Sequence, residues 1–240
     1  MCIRDSFCVS DGRTVLPLSP AQDFKRVGDD DAGPNTGGMG AYSPLDWVPE
    51  GLVDEVVQRV AQPVVDEMRR RGTPFSGVLY VGLALTPRGP RVIEFNARFG
   101  DPETQVVLAR LLTPLGGLLL ASAQGRLEEV SPLRWSPEHA VTVVVAAENY
   151  PGTPRTGDPV TGADAVAGAP TAYVLHAGTA RDAEGRLVSA GGRVLSVVAT
   201  GDSLAQARER VYAAVDGIDL PGSHHRTDIA LLAERGGVTV

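Results

Sequence analysis

The sequence predicts an α+β fold in two unequal units, with residues 1–6 as an anomalous junction, 7–130 as a mixed unit and 136–240 as a smaller, mainly-β unit. Three observations carry this. A long amphipathic helical repeat over 52–70 lies between a hairpin and a pair of apolar strands. The composition then shifts through a Pro- and Trp-containing linker at 130–137. Beyond it, short apolar runs alternate with glycine-rich turns.

The elements follow in order. Phe7–Ser10 reads as a strand that turns at Asp11-Gly12 and returns as Thr14–Leu18. Residues 1–6 have no apolar periodicity and read as joined to a strand whose earlier half is absent. The stretch 20–49 is dense in Gly, Pro, Asp and Asn and is expected to be a long loop. Leu52, Val56, Val60, Val64 and Met68 recur at helical spacing, with Pro63 predicting a kink and Gly72 a stop. Gly77–Leu85 and Arg91–Phe95 read as apolar strands buried on one or two faces, joined by a turn over 86–90. Helices are expected over 103–112 and 115–125. In the second unit the strands are 140–147, 172–177, 187–189 and 193–200. A helix with Ser203 and Gln206 in capping spacing follows them, with Leu204, Ala207, Val211 and Val215 on one face.

Composition narrows the function classes. With 240 residues and 43% hydrophobic side chains the chain can bury a core, and no apolar run approaches the roughly 20 residues that cross a bilayer. A net charge of -7 supplies no basic field for a nucleic-acid backbone. The two cysteines, Cys2 and Cys8, offer neither a disulfide framework nor metal spacing, which fits a cytoplasmic setting.

The densest chemistry lies in Val92-Ile-Glu-Phe-Asn-Ala-Arg-Phe-Gly-Asp-Pro-Glu-Thr-Gln105. Glu94 and Asn96, two apart on a strand, point to one face and offer a carboxylate and an amide oxygen, a sensible half-site for a hard cation such as magnesium. Arg98 continues that alternation and would place a cation beside the metal, against a phosphoryl group or an oxyanion. Asp101, Glu103 and Thr104 open a helix whose N–H groups can receive an anion. In Gln22–Ser43 the glycines at 37, 38 and 40 would let backbone amides approach a phosphate, with Lys25 and Arg26 supplying charge. The segment is not a P-loop, because no Gly-Lys-Ser/Thr follows.

The runs QDFKRVGDDDAGPNTGGMGAYSP, GVLYVGLAL, VIEFNARFGDPETQ, YPGTPRTGD, HAGT and GGRVLSVVATG, in this order and spacing, resemble the C-terminal part of the phosphoribosylamine-glycine ligase family, ATP-grasp enzymes of purine biosynthesis. The resemblance covers Phe7 to about Arg235. It implies the C-terminal half of an ATP-grasp domain followed by a small mainly-β closing domain. It also implies ligation of glycine to 5-phosphoribosylamine through a glycyl phosphate, with ATP as co-substrate and Mg2+ or Mn2+ as metal. Carried onto this chain, it makes Glu94 and Asn96 the metal ligands and Arg98 the stabiliser of the transferring group, without a carboxylate on 77–85 to help. Lys25 joins Arg98 as a catalytic candidate. Asp23, Asn35, Thr36, Gly37 and Gly38 would meet the amine substrate and its phosphate, and Asp101, Glu103 and Thr104 the substrates at the helix start.

His176-Ala-Gly-Thr179 and Gly191-Gly-Arg193 are candidates to face the cleft, although His176 fits a core histidine equally well. His224 and His225 read as tail residues, and Trp135 as linker packing. Family members carry a substrate domain and a nucleotide-clamping half ahead of this region, so the chain is expected to lack that N-terminal half, to be inactive alone and to expose a sheet edge and apolar surface. Two alternatives remain: another ATP-grasp carboxylate-amine ligase, and a noncatalytic binding module.

Overall fold

The computed structural model describes residues 2–86, 88–167 and 171–238. Met1, Pro87 and residues 168–170 and 239–240, which the expected junction, turn and second unit include, lie outside them. In chain order the first elements are β1 (Cys2–Asp11), β2 (Val15–Pro17), β3 (Gln22–Asp23), β4 (Arg26–Gly28), β5 (Ala32–Asn35) and β6 (Gly40–Ser43). Next come α1 (Leu52–Val56), α2 (Gln62–Arg70), β7 (Ser76–Thr86), β8 (Gly89–Asn96), α3 (Glu103–Arg110) and α4 (Leu115–Ala123). The remainder is β9 (His139–Ala146), α5 (Ala163–Ala167), β10 (Ala172–His176), β11 (Thr179–Arg181), β12 (Leu187–Ser189), β13 (Arg193–Gly201), α6 (Leu204–Asp216) and α7 (Leu231–Glu234). The chain divides into two units, one built from the stretches up to Gln22 and Ser43–Pro137, the other from Asp23–Tyr42 and Glu138–Gly237.

The first unit is an antiparallel sheet in the order β2-β1-β7-β8. The Asp11 carboxylate shapes the β1–β2 turn by accepting the N–H groups of Arg13 and Thr14 at 2.9 and 2.7 Å, while Gly12 takes φ +90°. Strand β1 starts earlier than the sequence predicts. Its backbone pairs with β7 from Cys2↔Leu85 to Asp11↔Ser76, so residues 2–6 continue the strand expected from Phe7. The long β7 offers a ladder there, and pairing it satisfies backbone groups whatever the side-chain pattern.

One face of the helical stretch closes the core. Leu52, Val56, Ala61 and Val65 pack with Cys8, Val15, Leu79, Val81, Leu83 and Leu85. The kink expected at Pro63 takes the form of a wide π-turn over Val57–Ala61 between α1 and α2. Pro63 has no N–H to give the preceding turn, and the helix accommodates that loss by widening ahead of it.

Strand β8 corrects the reading of two buried strands. It is the sheet edge, and Val92, Ile93 and Phe95 are 42%, 53% and 41% exposed. A bulge explains how its side chains divide. Glu94 pairs with Gly82 but Val92 with Leu83, so Ile93 is the extra residue. The bulge puts Val92 and Phe95 together on an apolar groove of about 490 Å³ with Val60, Pro63, Val64 and Met68.

Arg110, 7% exposed, donates to the hydroxyls of Ser19 and Ser43 at 2.7 and 3.0 Å and to the Ser136 carbonyl at 3.2 Å. Of these, Ser19, Ser43 and Ser136 lie near points where the chain passes from one unit to the other.

The second unit is a sheet ordered β10-β13-β9-β6-β3, with Ala207, Val211 and Val215 of α6 buried. Ser203 caps that helix by accepting the Gln206 N–H at 3.2 Å. The 20–49 stretch is therefore not one loop: it contributes β3 and β6 to this sheet, and β4 and β5 form a two-stranded ribbon. These strands are two to four residues long, too short for a period-2 pattern to show. Among the described residues no helix is long and apolar enough to cross a membrane.

Candidate functional site

In the first unit, Asn96 and Glu94 lie on one side of β8, as the strand alternation requires, with the Asn96 Nδ2 donating to Glu94 Oε1 at 3.2 Å. Glu94 is exposed and Asn96 half-buried. Their neighbours on β7 are in register. Tyr80 pairs with Asn96 and Gly82 with Glu94, while Phe7 of β1 pairs with Tyr80 and meets it edge-on at 5.1 Å. An exposed carboxylate beside an amide, next to a strand position without a side chain, suits a hard cation that keeps water and phosphate in its remaining positions. Among the described residues no three His, Cys, Asp or Glu side chains group into a closed metal cage.

Arg98 does not continue the alternation. Strand β8 ends at Asn96, and the Arg98 side chain lies in the following bend, exposed, donating to the Phe99 carbonyl at 2.9 Å. The start of α3 also differs from the expected anion site. The Thr104 N–H is used by the Gly100 carbonyl at 3.2 Å, and Asp101 accepts from the Gln105 amide at 2.9 Å, so the helix opening is furnished with the chain's own carboxylate. Glu103 is 3% exposed, and a side chain at Gly100 would meet its Oε2 and the Phe7 ring at 2.7 Å. Its carboxylate is part of the packing under the bend. Thr104 is half-buried beside it.

In the second unit, the segment carrying Asp23, Lys25, Asn35, Thr36, Gly37 and Gly38 is held tightly. Lys25 pairs with the buried Asp23 at 2.8 Å. The Thr36 N–H and hydroxyl both donate to the Lys25 carbonyl, at 2.7 and 2.9 Å. The Gly38 N–H goes to the Thr36 hydroxyl at 2.9 Å, and the Gly37 N–H to the Tyr150 hydroxyl at 2.9 Å. The Gly37 and Gly38 amides, two of the three expected to cradle a phosphate, are thus committed within the protein. Gly40 serves packing: a Cβ there would lie 2.6 Å from the Thr142 carbonyl and 2.8 Å from Ile229. Exposed Asn35 and half-buried Lys25 remain as side chains that meet solvent.

Reasoning from sequence missed Arg226, which is 1% exposed and holds the acidic run at 29–31. It donates to both Asp228 oxygens and to Asp31 Oδ1, each at 2.7 Å, and lies 5.0 Å from the Phe24 ring. Burial draws the Asp228 carboxyl upward, but hydrogen bonds from Arg226 and the Asp30 N–H outweigh it and hold the group below the ordinary range. Nothing in a run of three aspartates signals a partner 195 residues away.

Of the two readings of His176, its exposure excludes one, and His224 differs from expectation. His176 is exposed, its Nδ1 3.1 Å from the Thr179 hydroxyl, and is not a core histidine. His224 is no tail residue: its backbone pairs with Ala146, and burial followed by the His225 charge depresses its pKa. Trp135 bridges Leu111 through the backbone, in keeping with a linker role.

Two family models match: "Phosphoribosylglycinamide synthetase, ATP-grasp (A) domain" over residues 5–104 and "Phosphoribosylglycinamide synthetase, C domain" over 140–232. A phosphoribosylamine–glycine ligase of Streptomyces coelicolor is 71% identical over 229 residues, which are 95% of this chain and 55% of the relative. One from Mycobacterium tuberculosis is 58% identical over 234 residues, 98% of this chain and 54% of the relative. The crystal structure of a phosphoribosylamine–glycine ligase from Thermotoga maritima matches with TM-score 0.84 and 32% identity, covering 95% of this chain and 55% of that one. The chain spans about half the length of the curated relatives it matches.

Proposed function

Because the chain belongs to the phosphoribosylglycinamide synthetase family, we propose that it supplies the metal-holding and amine-binding portions of a cytoplasmic ligase that joins glycine to 5-phosphoribosylamine. The overall reaction consumes ATP and yields glycinamide ribonucleotide, ADP and phosphate in purine biosynthesis. The observation that carries the proposal is the Glu94–Asn96 pair on the open face of β8. A divalent cation, Mg2+ or Mn2+, would be held there by the Glu94 carboxylate and the Asn96 amide oxygen, and would supply charge neutralisation for the nucleotide phosphates.

The protein's own residues do the rest by position and charge, with no covalent nucleophile. Glu94 and Asn96 fix where the phosphates sit. Arg98, exposed in the bend after β8, brings its guanidinium to the oxygens of the transferring group. Exposed Asp101 meets substrate beside the α3 start, while Glu103 and the buried hydroxyl of Thr104 support the bend from beneath. In the second unit, Lys25 meets the substrate phosphate as a point charge oriented by Asp23, and Asn35 hydrogen-bonds the sugar or amine. Thr36, Gly37 and Gly38 fix the turn that carries them.

The test is ADP formation by these 240 residues joined to the portion of the Streptomyces coelicolor relative that lies outside the match. Turnover that needs glycine and 5-phosphoribosylamine together supports the proposal. Turnover driven by a different acid and amine pair, or none from a folded joined protein, refutes it.

A further inference from the structure

We infer that Tyr150 and Arg193 are positioning residues for the amine substrate, acting through the Thr36–Gly38 turn. This rests on the proposal that the 23–38 segment meets that substrate. Two sequence runs, Tyr150-Pro-Gly and Gly191-Gly-Arg193, the second a candidate to face the cleft, converge on this turn.

The geometry is a relay of specific contacts. The Tyr150 hydroxyl accepts the Gly37 N–H at 2.9 Å, and the Arg193 guanidinium donates to the Gly37 carbonyl at 3.1 Å, with the Gly38 carbonyl at 3.4 Å. Both peptide planes flanking Gly37 are therefore held from outside the turn. The Gly38 N–H then ties back to the Thr36 hydroxyl, and Thr36 ties to the Lys25 carbonyl. A fixed Gly37 thus fixes the backbone from which Lys25 and Asn35 project.

Glycine is required around this contact. A Cβ at Gly37 would lie 3.0 Å from the Arg193 Cζ, and Gly38 takes φ +116°. A Cβ at Gly192 would come within 2.2 Å of the Tyr150 ring. Gly192 therefore makes the bed on which the ring lies, and Tyr150→Phe keeps that packing while deleting one oxygen. Core packing alone would not need the hydroxyl or the Arg193 Nη1 donor.

Two readouts test the inference. In the 240-residue chain, Tyr150→Phe speeds hydrogen exchange of the Gly37 amide by about 10-fold or more, with the sheet amides unmoved. In the joined enzyme, Tyr150→Phe and Arg193→Met raise KM for 5-phosphoribosylamine about 10-fold while KM for ATP and glycine stay within about two-fold, and Arg193→Lys recovers part of the loss. Faster Gly37 exchange with an unmoved KM for the amine overturns the inference, as does unchanged exchange. A wild-type joined enzyme that folds but makes no glycinamide ribonucleotide from ATP, glycine and 5-phosphoribosylamine overturns instead the proposed function, and with it any substrate role for the two residues.

Discussion

Gly82 faces Glu94 across the β7–β8 ladder, and a Cβ at position 82 would lie 3.1 Å from the Glu94 Cγ and 3.3 Å from the Tyr80 ring. The missing side chain is what gives the Glu94 carboxylate its place on the sheet face. Gly82→Ala should displace it, raising the Mg2+ concentration for half-maximal turnover of the joined enzyme by about 10-fold, within the range seen when groups supporting a metal ligand are altered. Gly82→Val should do so further. Unchanged Mg2+ dependence in a well-folded Gly82→Val would show that Glu94 does not hold the metal.

Buried Arg226 and half-buried Asp228 form a pair that fastens the acidic turn at 29–31. Asp228→Asn leaves the Arg226 charge without its bidentate partner and should lower stability by about 3 kcal/mol in urea titrations. The pH dependence has a definite sign. With its folded pKa depressed, Asp228 contributes stability that is complete above the unfolded carboxylate value near ~3.9 and is lost as pH falls through the lower folded value. The wild type should therefore lose stability below about pH 4 more steeply than Asp228→Asn. Parallel curves would refute the assignment.

Cys8 is fully buried in the first unit's core, and burial pushes its thiol up to about 12. In a Cys2→Ser background, iodoacetamide should leave Cys8 unmodified in native buffer at pH 8 and label it in urea as the unit unfolds. Mass spectrometry reads this directly, and rapid native labelling would contradict the packing of β1.

The parts of this molecule that sequence made legible are those with local periodicity. Leu52 to Met68 declare a helix by spacing, Pro63 declares its irregularity, and Glu94-x-Asn96 declares a shared strand face. The bulge at Ile93 was illegible, because it depends on which β7 residue each β8 residue meets, and it decides that Val92 joins Phe95 on the groove and not Glu94 on the other face. Strands β3 to β6 were too short to alternate. The contacts that organise the second unit's turn join Gly37 to Tyr150 and Arg193 across 113 and 156 residues, with no periodic trace in the chain. The glycine run at 37–40 looked like a phosphate cradle because glycine permits close approach; here what approaches is the protein itself.

The exposed β8 edge agrees with the expectation that apolar surface stands uncovered, with Ile93 at 53% and Phe95 at 41%. That the relatives are nearly twice as long gives this surface a testable role. Ile93→Ser, at the exposed bulge and outside the groove lining, should leave the 240-residue chain about as stable as before, a surface change within about 0.5 kcal/mol, yet weaken its association with a separately expressed remaining portion of the Streptomyces coelicolor relative. Sedimentation or calorimetry distinguishes this from equal association, which would place the contact elsewhere.

The most direct test of the central claim is ADP formation by the joined enzyme with Glu94→Gln, at saturating glycine and 5-phosphoribosylamine and across a Mg2+ titration. Removing the ligand charge without changing shape should cut turnover about 100-fold or more and leave a residue that rises with Mg2+. Turnover within a few-fold of wild type, with unaltered Mg2+ dependence, would contradict the assignment of the metal to the β8 face.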